Sequence, residues 1–493
     1  MDPRTGKPRE RVAAEATAEE VDRAVRAAHG SREALADRAV RAAFLRAAAG
    51  LLEEARDRVI ETADAETALG TTRLSGELAR TTAQLRSFAD VVDEGSFLDV
   101  RIDLPDPGAV PPRPDLRRWK VPLGVVAVYA AGNFPLAFSV PGGDTASALA
   151  AGCPVVVKAH PGHPATSALC ASLLRRAAAG AGLPEDVVVL VHGFDAGVAL
   201  IRHPLVAAAG FTGSVRGGRA LFDAAAARPV PIPFHGELGS LNPVVITPAA
   251  AEERAKEIGA GLAGSTTLGA GQFCTKPGLV LAPRGEVGDR FLDALAEGVA
   301  ATGPAVMLDH RIRDAYVAGV AERAALAGVA APVVPGARDG HAVGAGVLTV
   351  DAARLTGDGH RLLLEECFGP VTVVARYTDR EEAAAVLGLL PGNLTATLHT
   401  TGTDGDPDPD AAPLLAALVP LAGRVLVNGW PTGVAVAAAQ HHGGPYPATT
   451  STATSVGATA IERWLRPVTY QSTPGHLLPP ELRDGNPLGL PRR

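Results

Sequence analysis

From residue 124 to 237 the chain repeats one pattern: a short unbroken apolar run, a stretch with helical spacing, then another apolar run. GVVAVYA (124–130), PVVVK (154–158), VVVLVHG (187–193) and VAAAGFTG (206–213) are four such runs, and PVPIPF is a further extended segment. Between them PGGDTASALAAG (141–152), ATSALCASLLRRAAAGA (165–181), DAGVALIRH and GGRALFDAAAA (217–227) read as helices, the first ended by Gly152. Runs that are apolar on both faces suit strands buried between two helix layers, so the pattern implies βαβ units and a parallel sheet. Right-handed crossovers then collect the C-terminal strand ends on one edge, where nucleotides bind.

At 493 residues the chain is too long for one hydrophobic core, so two or more lobes are expected. Residues 17 to 90 read as helices, opened by Thr17 with Glu19 and Glu20 in a capping arrangement. LPDPGAVPPRPD (104–115) carries five prolines and reads as an extended connector. A second α/β region starts near 238, with a helix around 252–263 and strands at GLVLA (278–282), VTVVARY (371–377) and NLTATLHT (393–400). TDGDPDPDAAP (403–413) reads as an exposed acidic loop with no function assigned. From about residue 467 the chain alternates weakly and then turns Pro-rich, which suggests an arm rather than a core element.

Composition narrows the function classes. Apolar residues make up 47% and charged residues 20%, the balance of a folded globular protein. Aromatics are only 4%, so the core must be built from small and β-branched side chains. A net charge of −7 supplies no basic surface for a nucleic-acid partner. The charged N-terminus lacks the apolar run of a signal peptide, and no apolar stretch is long enough for a membrane span. Four cysteines, at 153, 170, 274 and 367, give neither a disulfide framework nor metal-ligand spacing. The HPGHP histidines also lack Cys or acid partners, so no metal site is expected, and the compartment implied is cytoplasmic.

Four positions carry chemistry. Cys274 lies in GAGQFCTKPG; a lone cysteine is usually a small buried hydrophobe, but flanking glycines let backbone N–H groups approach a reacting oxygen. Cys153, Cys170 and Cys367 fit the ordinary reading. Glu237, in FHGELGSLNP, follows a strand and taken alone reads as a solvated loop glutamate. Asn133, in AGNFPLAF, is an ordinary turn residue by itself. FTGSVRGGRAL makes a glycine turn from Gly213 to Gly218 between strand and helix, which also serves plain tight packing.

Taken together, AGNFPLAF, VVVKAHP, FTGSVRGGRAL, ELGSLNP, GAGQFCTKPG, EECFGPV and GNLTATLHT, in this order, resemble the aldehyde dehydrogenase superfamily. The wider blocks NFPLAFSVPGGDTASALAAGCPVVVKAHPGHP, RVLVNGWPTGV and HHGGPYPAT resemble one branch, which holds 2-oxoglutarate semialdehyde (2,5-dioxopentanoate) dehydrogenases and NADP-dependent fatty-aldehyde dehydrogenases. The resemblance implies an α/β fold of three parts. These are a Rossmann-like dinucleotide-binding domain (1–99 and 122–237), an α/β catalytic domain (238–445) and a small oligomerisation arm (100–121 and 446–493). It also implies a homodimer or homotetramer in which the arm pairs with a neighbouring subunit.

By the same resemblance Cys274 is the nucleophile, Asn133 an oxyanion donor and Glu237 the base that activates water. Lys158 and His160 fall at the adenosine ribose, Gly213, Ser214, Arg216 and Gly218 at the diphosphate turn, and Glu366 with Phe368 at the nicotinamide ribose. Pro161 stands where NAD-selective relatives often carry a glutamate, so with Arg216 nearby NADP is expected, and NAD as well. Ala131-Gly132 replaces the usual Pro-Trp and implies a more open substrate side. Ala435 departs from an acid common in the oxoglutarate branch. Phe138, Phe273 and Trp430 are expected to line the pocket. The leading substrate is 2,5-dioxopentanoate. Medium-chain aliphatic or aromatic aldehydes are the alternative, followed by a CoA-acylating relative or a non-catalytic scaffold.

Overall fold

The computed structural model describes residues 1–401 and 407–492. The apolar runs between 124 and 237 form one all-parallel sheet from Val125–Tyr129, Val155–Lys158, Val188–Val191, Val206–Thr212 and Phe234–Glu237. Across the sheet their order is third, second, first, fourth, fifth, so the winding reverses at the first strand. Such a reversal opens a crevice at the carboxyl ends of the strands. Val126 and Val128 face one helix layer while Val125, Ala127 and Tyr129 face the other, which explains a run apolar throughout. Helices Arg38–Glu54, Thr71–Glu94 and Pro164–Gly180 cover the first face. Ala18–Gly30, Phe194–Arg202 and Val215–Ala226 cover the second. Thr17 opens Ala18–Gly30 with the expected capping box through Glu20.

The second sheet has seven strands in the order Ala330–Val333, Gly346–Asp351, Val371–Tyr377, Leu279–Pro283, Val244–Ile246, Asn393–His399 and Ala422–Val427. All its pairings are parallel except the first. The helix expected around 252–263 runs over Pro248–Thr267, because Thr247 caps it and Pro248 suits its first turn.

Four expectations need correction. Only Phe234 of PVPIPF joins a strand, since its prolines offer no ladder donors; that strand runs on through Glu237, which therefore ends it rather than follows it. LPDPGAVPPRPD is a hairpin loop, not an extended connector: Asp106 and Arg113 exchange two backbone hydrogen bonds of 2.9 Å. The flanking strands Arg101–Asp103 and Leu116–Pro122 pair antiparallel. The C-terminal arm contains a strand, Leu465–Gln471, that pairs antiparallel with Leu116–Pro122, and Trp464, Leu478, Leu482 and Leu490 are buried in the core of the first lobe. Of the acidic stretch 403–413, residues 403–406 lie outside the described residues. Asp408 accepts from the Thr247 and Thr400 hydroxyls, and Pro413 sits in the first turn of helix Ala411–Leu418, where its missing N–H costs nothing. No helix among the described residues is long and apolar enough to cross a membrane.

Candidate active site

Strand ends deliver most of the marked residues to one edge. Val125–Tyr129 leads into Asn133, Val155–Lys158 ends in Lys158, Val206–Thr212 leads into Gly213, and Phe234–Glu237 ends in Glu237. Cys274 arrives from the second lobe, on the loop after Pro248–Thr267, where Gly269, Ala270 and Gly271 have φ of 56°, 57° and 64°. A side chain at Gly271 would meet the Gly369 carbonyl at 2.4 Å, so close backbone approach as well as conformation demands glycine. Asn242 pins this loop by donating to the Cys274 carbonyl at 2.8 Å and the Lys276 carbonyl at 3.0 Å. Its own side-chain oxygen accepts from Ser240 and Thr395. Sequence reasoning misses Asn242; its only local signal is an asparagine before proline, here with φ 53°.

His442 is the larger omission. Its Nε2 lies 3.8 Å from Cys274 Sγ and 2.9 Å from Glu237 Oε1, while Ser455 Oγ donates to Glu237 Oε2 at 2.8 Å. Glu237 and His442 are both buried, so the loop-glutamate reading of Glu237 fails. The ligand atoms of Glu237, Cys274 and His442 all lie within 4.8 Å of one another. Those are also donor types that zinc accepts. Spacing along the chain, 237, 274 and 442, gave no hint of this grouping.

Burial pushes the Cys274 thiol well above its ordinary range; the Glu237 carboxylate adds to the rise and Arg80 opposes it. Burial acts to raise Glu237 as well, but His442, Ser455 and the thiol outweigh it and hold the carboxyl below its ordinary value. The resting site is thus a thiol beside a carboxylate. Asn133 Nδ2 donates to the Gln272 carbonyl at 3.1 Å, next to the Cys274 loop, leaving its second amide hydrogen for another acceptor.

Phe134 packs edge-on against Phe138 and Phe273, with ring centroids 5.4 and 5.5 Å apart. Arg73 lies 4.6 Å from the Phe273 ring centre and donates to the Asn133 carbonyl at 2.6 Å; Arg80 lies 5.4 Å from the Phe138 ring centre. Nε and Nη1 of Arg73, and Nε and Nη2 of Arg80, are buried without a hydrogen-bond partner among the described residues. Burial lowers both guanidinium groups below their ordinary values, opposed by the negative charges of Glu77 and of the Cys274 side chain. Sequence reasoning named Phe138 and Phe273 but located no arginine. The spacing of seven along Thr71–Glu94 puts both arginines on one helix face.

Trp430 packs its ring 4.6 Å from that of His399 and fills the room over Gly261 of the helix Pro248–Thr267. The expected opening at Ala131-Gly132 is also filled. A side chain at Gly132 would come within 2.7 Å of the His160 ring, which occupies that room.

His160 stacks on His163 at 5.3 Å and accepts from Gly162 N at 3.1 Å; burial keeps it far below its ordinary value and neutral. Lys158 is half-buried, with burial and then Arg311 lowering it. Ser214 caps Val215–Ala226 by accepting from Gly217 N at 3.2 Å. Gly218 has no room for a side chain, since Leu238 Cδ2 lies 2.1 Å from its would-be Cβ. Arg216 is exposed on that first turn. The strand Val125–Tyr129 separates it from the Lys158 strand, roughly 10 Å across the sheet edge. Glu366 presses its carboxylate on Gly239, beside Val215, and burial raises it to about 7 against the pull of Lys276. Phe368 is half-buried two residues on.

Three comparisons bear on this arrangement. A model described as "Aldehyde dehydrogenase family" matches residues 1–465. An alpha-ketoglutaric semialdehyde dehydrogenase 2 of Azospirillum brasilense is 50% identical over 468 residues, 92% of this chain and 86% of that one. An alpha-ketoglutaric semialdehyde dehydrogenase of Acinetobacter baylyi is 42% identical over 97% of this chain and 91% of that one. The fold matches the solved structure of PnpE in complex with nicotinamide adenine dinucleotide, with a TM-score of 0.80 at 24% identity, covering 96% of this chain and 94% of that one.

Proposed function

Because the chain belongs to the aldehyde dehydrogenase family, and so oxidises aldehydes with a nicotinamide cofactor, we propose that its substrate is a short aldehyde acid, 2-oxoglutarate semialdehyde (2,5-dioxopentanoate), converted to 2-oxoglutarate. The observation that carries this reading is the pair Arg73 and Arg80. Both stand over the nucleophile loop with buried N–H groups that lack acceptors. Glu77, between them on the helix, attracts both charges but leaves those N–H groups without an acceptor; buried donors left unpaired are costly, and a substrate carboxylate supplies the acceptor. The relatives at 50% and 42% identity, named for this aldehyde, support it.

In this reading the Cys274 thiol releases its proton to solvent water on the way to attack, while His442 Nε2–H donates to the Glu237 carboxylate at 2.9 Å. The Cys274 thiolate attacks the aldehyde carbon, and the tetrahedral oxyanion accepts from Asn133 Nδ2 and the Cys274 backbone N–H. The nicotinamide, when bound, supplies the hydride acceptor, which leaves a thioester on Cys274. Glu237, held by His442 and Ser455, then takes a proton from the water that cleaves the thioester, which releases the acid and a thiolate that is reprotonated to the thiol. A buried carboxylate positioned for water favours hydrolysis over transfer to CoA. The Gly213–Gly218 turn with Ser214 and Arg216 takes the diphosphate, Glu366 and Phe368 the nicotinamide ribose, and Lys158 the adenosine ribose, with His160 behind it. Both NAD and NADP are accepted, the latter because Pro161 offers no carboxylate. The protein assembles as a homodimer or homotetramer, using the outer edge of Leu465–Gln471, which no strand of its own chain occupies among the described residues.

The test is kcat/KM for 2,5-dioxopentanoate against hexanal and benzaldehyde. The oxo acid should lead, and Arg80→Gln should lower its kcat/KM about ten- to a hundredfold, as expected for loss of one charged hydrogen bond, with a smaller effect on hexanal. Equal losses on both substrates would favour the second reading. That reading, medium-chain or aromatic aldehydes, rests on the walls formed by Phe134, Phe138 and Phe273.

A further inference from the structure

We propose that Glu15, on the N-terminal segment, sets the preference between NAD and NADP by placing a carboxylate at the adenosine 2′ corner of the cofactor site. The inference rests on the assignment of Lys158 to the adenosine ribose. Ala16 N donates to the His192 carbonyl at 2.8 Å, which fastens the segment just past the end of Val188–Val191. That strand is the direct neighbour of the Lys158 strand, with Lys158 opposite Val191. Glu15 lies flat over Gly193, whose φ is 113°. A side chain at Gly193 would meet Glu15 Cβ at 2.8 Å and Cγ at 3.1 Å. One turn along the helix Phe194–Arg202, Gly197 plays the same part for lysine: its would-be Cβ lies 3.5 and 3.6 Å from Lys158 Cγ and Cε. Two glycines on one face of a helix start thus hold Glu15 and Lys158 against the same terminus, near enough for the carboxylate to stabilise the ammonium. The charge of Arg311, from the second lobe, lowers Lys158 and His160 further.

Ribose hydroxyls donate to a carboxylate, whereas a 2′-phosphate, bearing close to two negative charges, is repelled by it. Pro161, three residues after Lys158, offers no carboxylate, and Glu15 brings one in from a segment more than a hundred residues earlier. Lys158 and Arg311 still attract phosphate, so Glu15 sets a ratio rather than an absolute choice.

The test is equilibrium binding of NADH and NADPH, followed by their fluorescence with no aldehyde present, in wild type, Glu15→Gln, Glu15→Lys and Glu10→Gln. Glu15→Gln should tighten NADPH about tenfold relative to NADH, and Glu15→Lys should extend that gain. Glu10→Gln, an exposed carboxylate of the same segment, should leave the ratio unchanged. Wild type that binds both dinucleotides, with the same ratio in Glu15→Gln, overturns the inference alone. Wild type that binds neither overturns the cofactor-site reading and the inference with it.

Discussion

At Cys274 two opposite charges compete over one proton. Glu237 raises the thiol and Arg80 lowers it, both acting on a group already raised by burial. Removing the carboxylate charge in Glu237→Gln should therefore move the pH midpoint of Cys274 alkylation by iodoacetamide downward. Removing the guanidinium in Arg80→Gln should move it upward. Midpoints that shift in the same direction in both variants would show that the two side chains do not face the sulfur as described. The same contacts predict that Glu237→Gln loses thioester hydrolysis before it loses hydride transfer. Rapid mixing should then show one turnover of cofactor absorbance followed by little steady state. The chemistry-bearing types were legible in the sequence because Cys274, Glu237 and Asn133 sit among glycines and turns. His442 was not, because nothing local distinguishes it from its neighbour His441.

At the scale of elements, the site depends on one irregular segment held against a strand. Residues 442–455 run beside Phe234–Glu237, tied by a bridge between Glu237 and Thr449 and by Leu238 N to the Ala448 carbonyl at 2.8 Å. Gly444 lets that segment touch the second sheet: its would-be Cβ lies 2.0 Å from the Asn393 carbonyl oxygen. Backbone cannot yield as a side-chain tip can. Gly444→Ala should cost about 1–3 kcal/mol in urea unfolding and lower kcat by displacing His442. NADH binding should survive, since Lys158 and the Gly213–Gly218 turn lie on other elements. A variant with full kcat would show that His442 can be displaced without consequence. The parallel strands were legible because burial on both faces forces unbroken apolar runs; the segment 442–455 has no period to read.

In the whole molecule, the C-terminal end closes the N-terminal lobe. Trp464 is fully buried and donates from Nε1 to Ser147 Oγ at 2.8 Å, and Arg463 pairs with Asp144 at 2.7 Å in the same interior. Both partners belong to the helix Gly143–Ala151, which leads into the Lys158 strand. Trp464→Ala should lower stability by about 3–5 kcal/mol, read as an earlier denaturation midpoint that includes the N-terminal lobe. An unchanged midpoint would make the arm the separate appendage that its weak alternation and prolines suggest.

The sequence by itself determined the layered α/β architecture, the strand ends that carry Asn133, Lys158 and Glu237, and the glycine-rich loop of Cys274. Each of these is a local matter: strand burial sets hydrophobic period, and tight turns or close backbone approach demand glycine. Only the tertiary structure decided that His442 and Ser455 meet Glu237, that Arg73 and Arg80 stand over the Cys274 loop, and that Glu15 reaches the Lys158 corner. Those groupings join residues from about 140 to more than 200 positions apart. Their side chains are polar and solitary in the sequence, so no periodicity marks them, and it is the packing of two sheets and a returning C-terminal segment that brings them together.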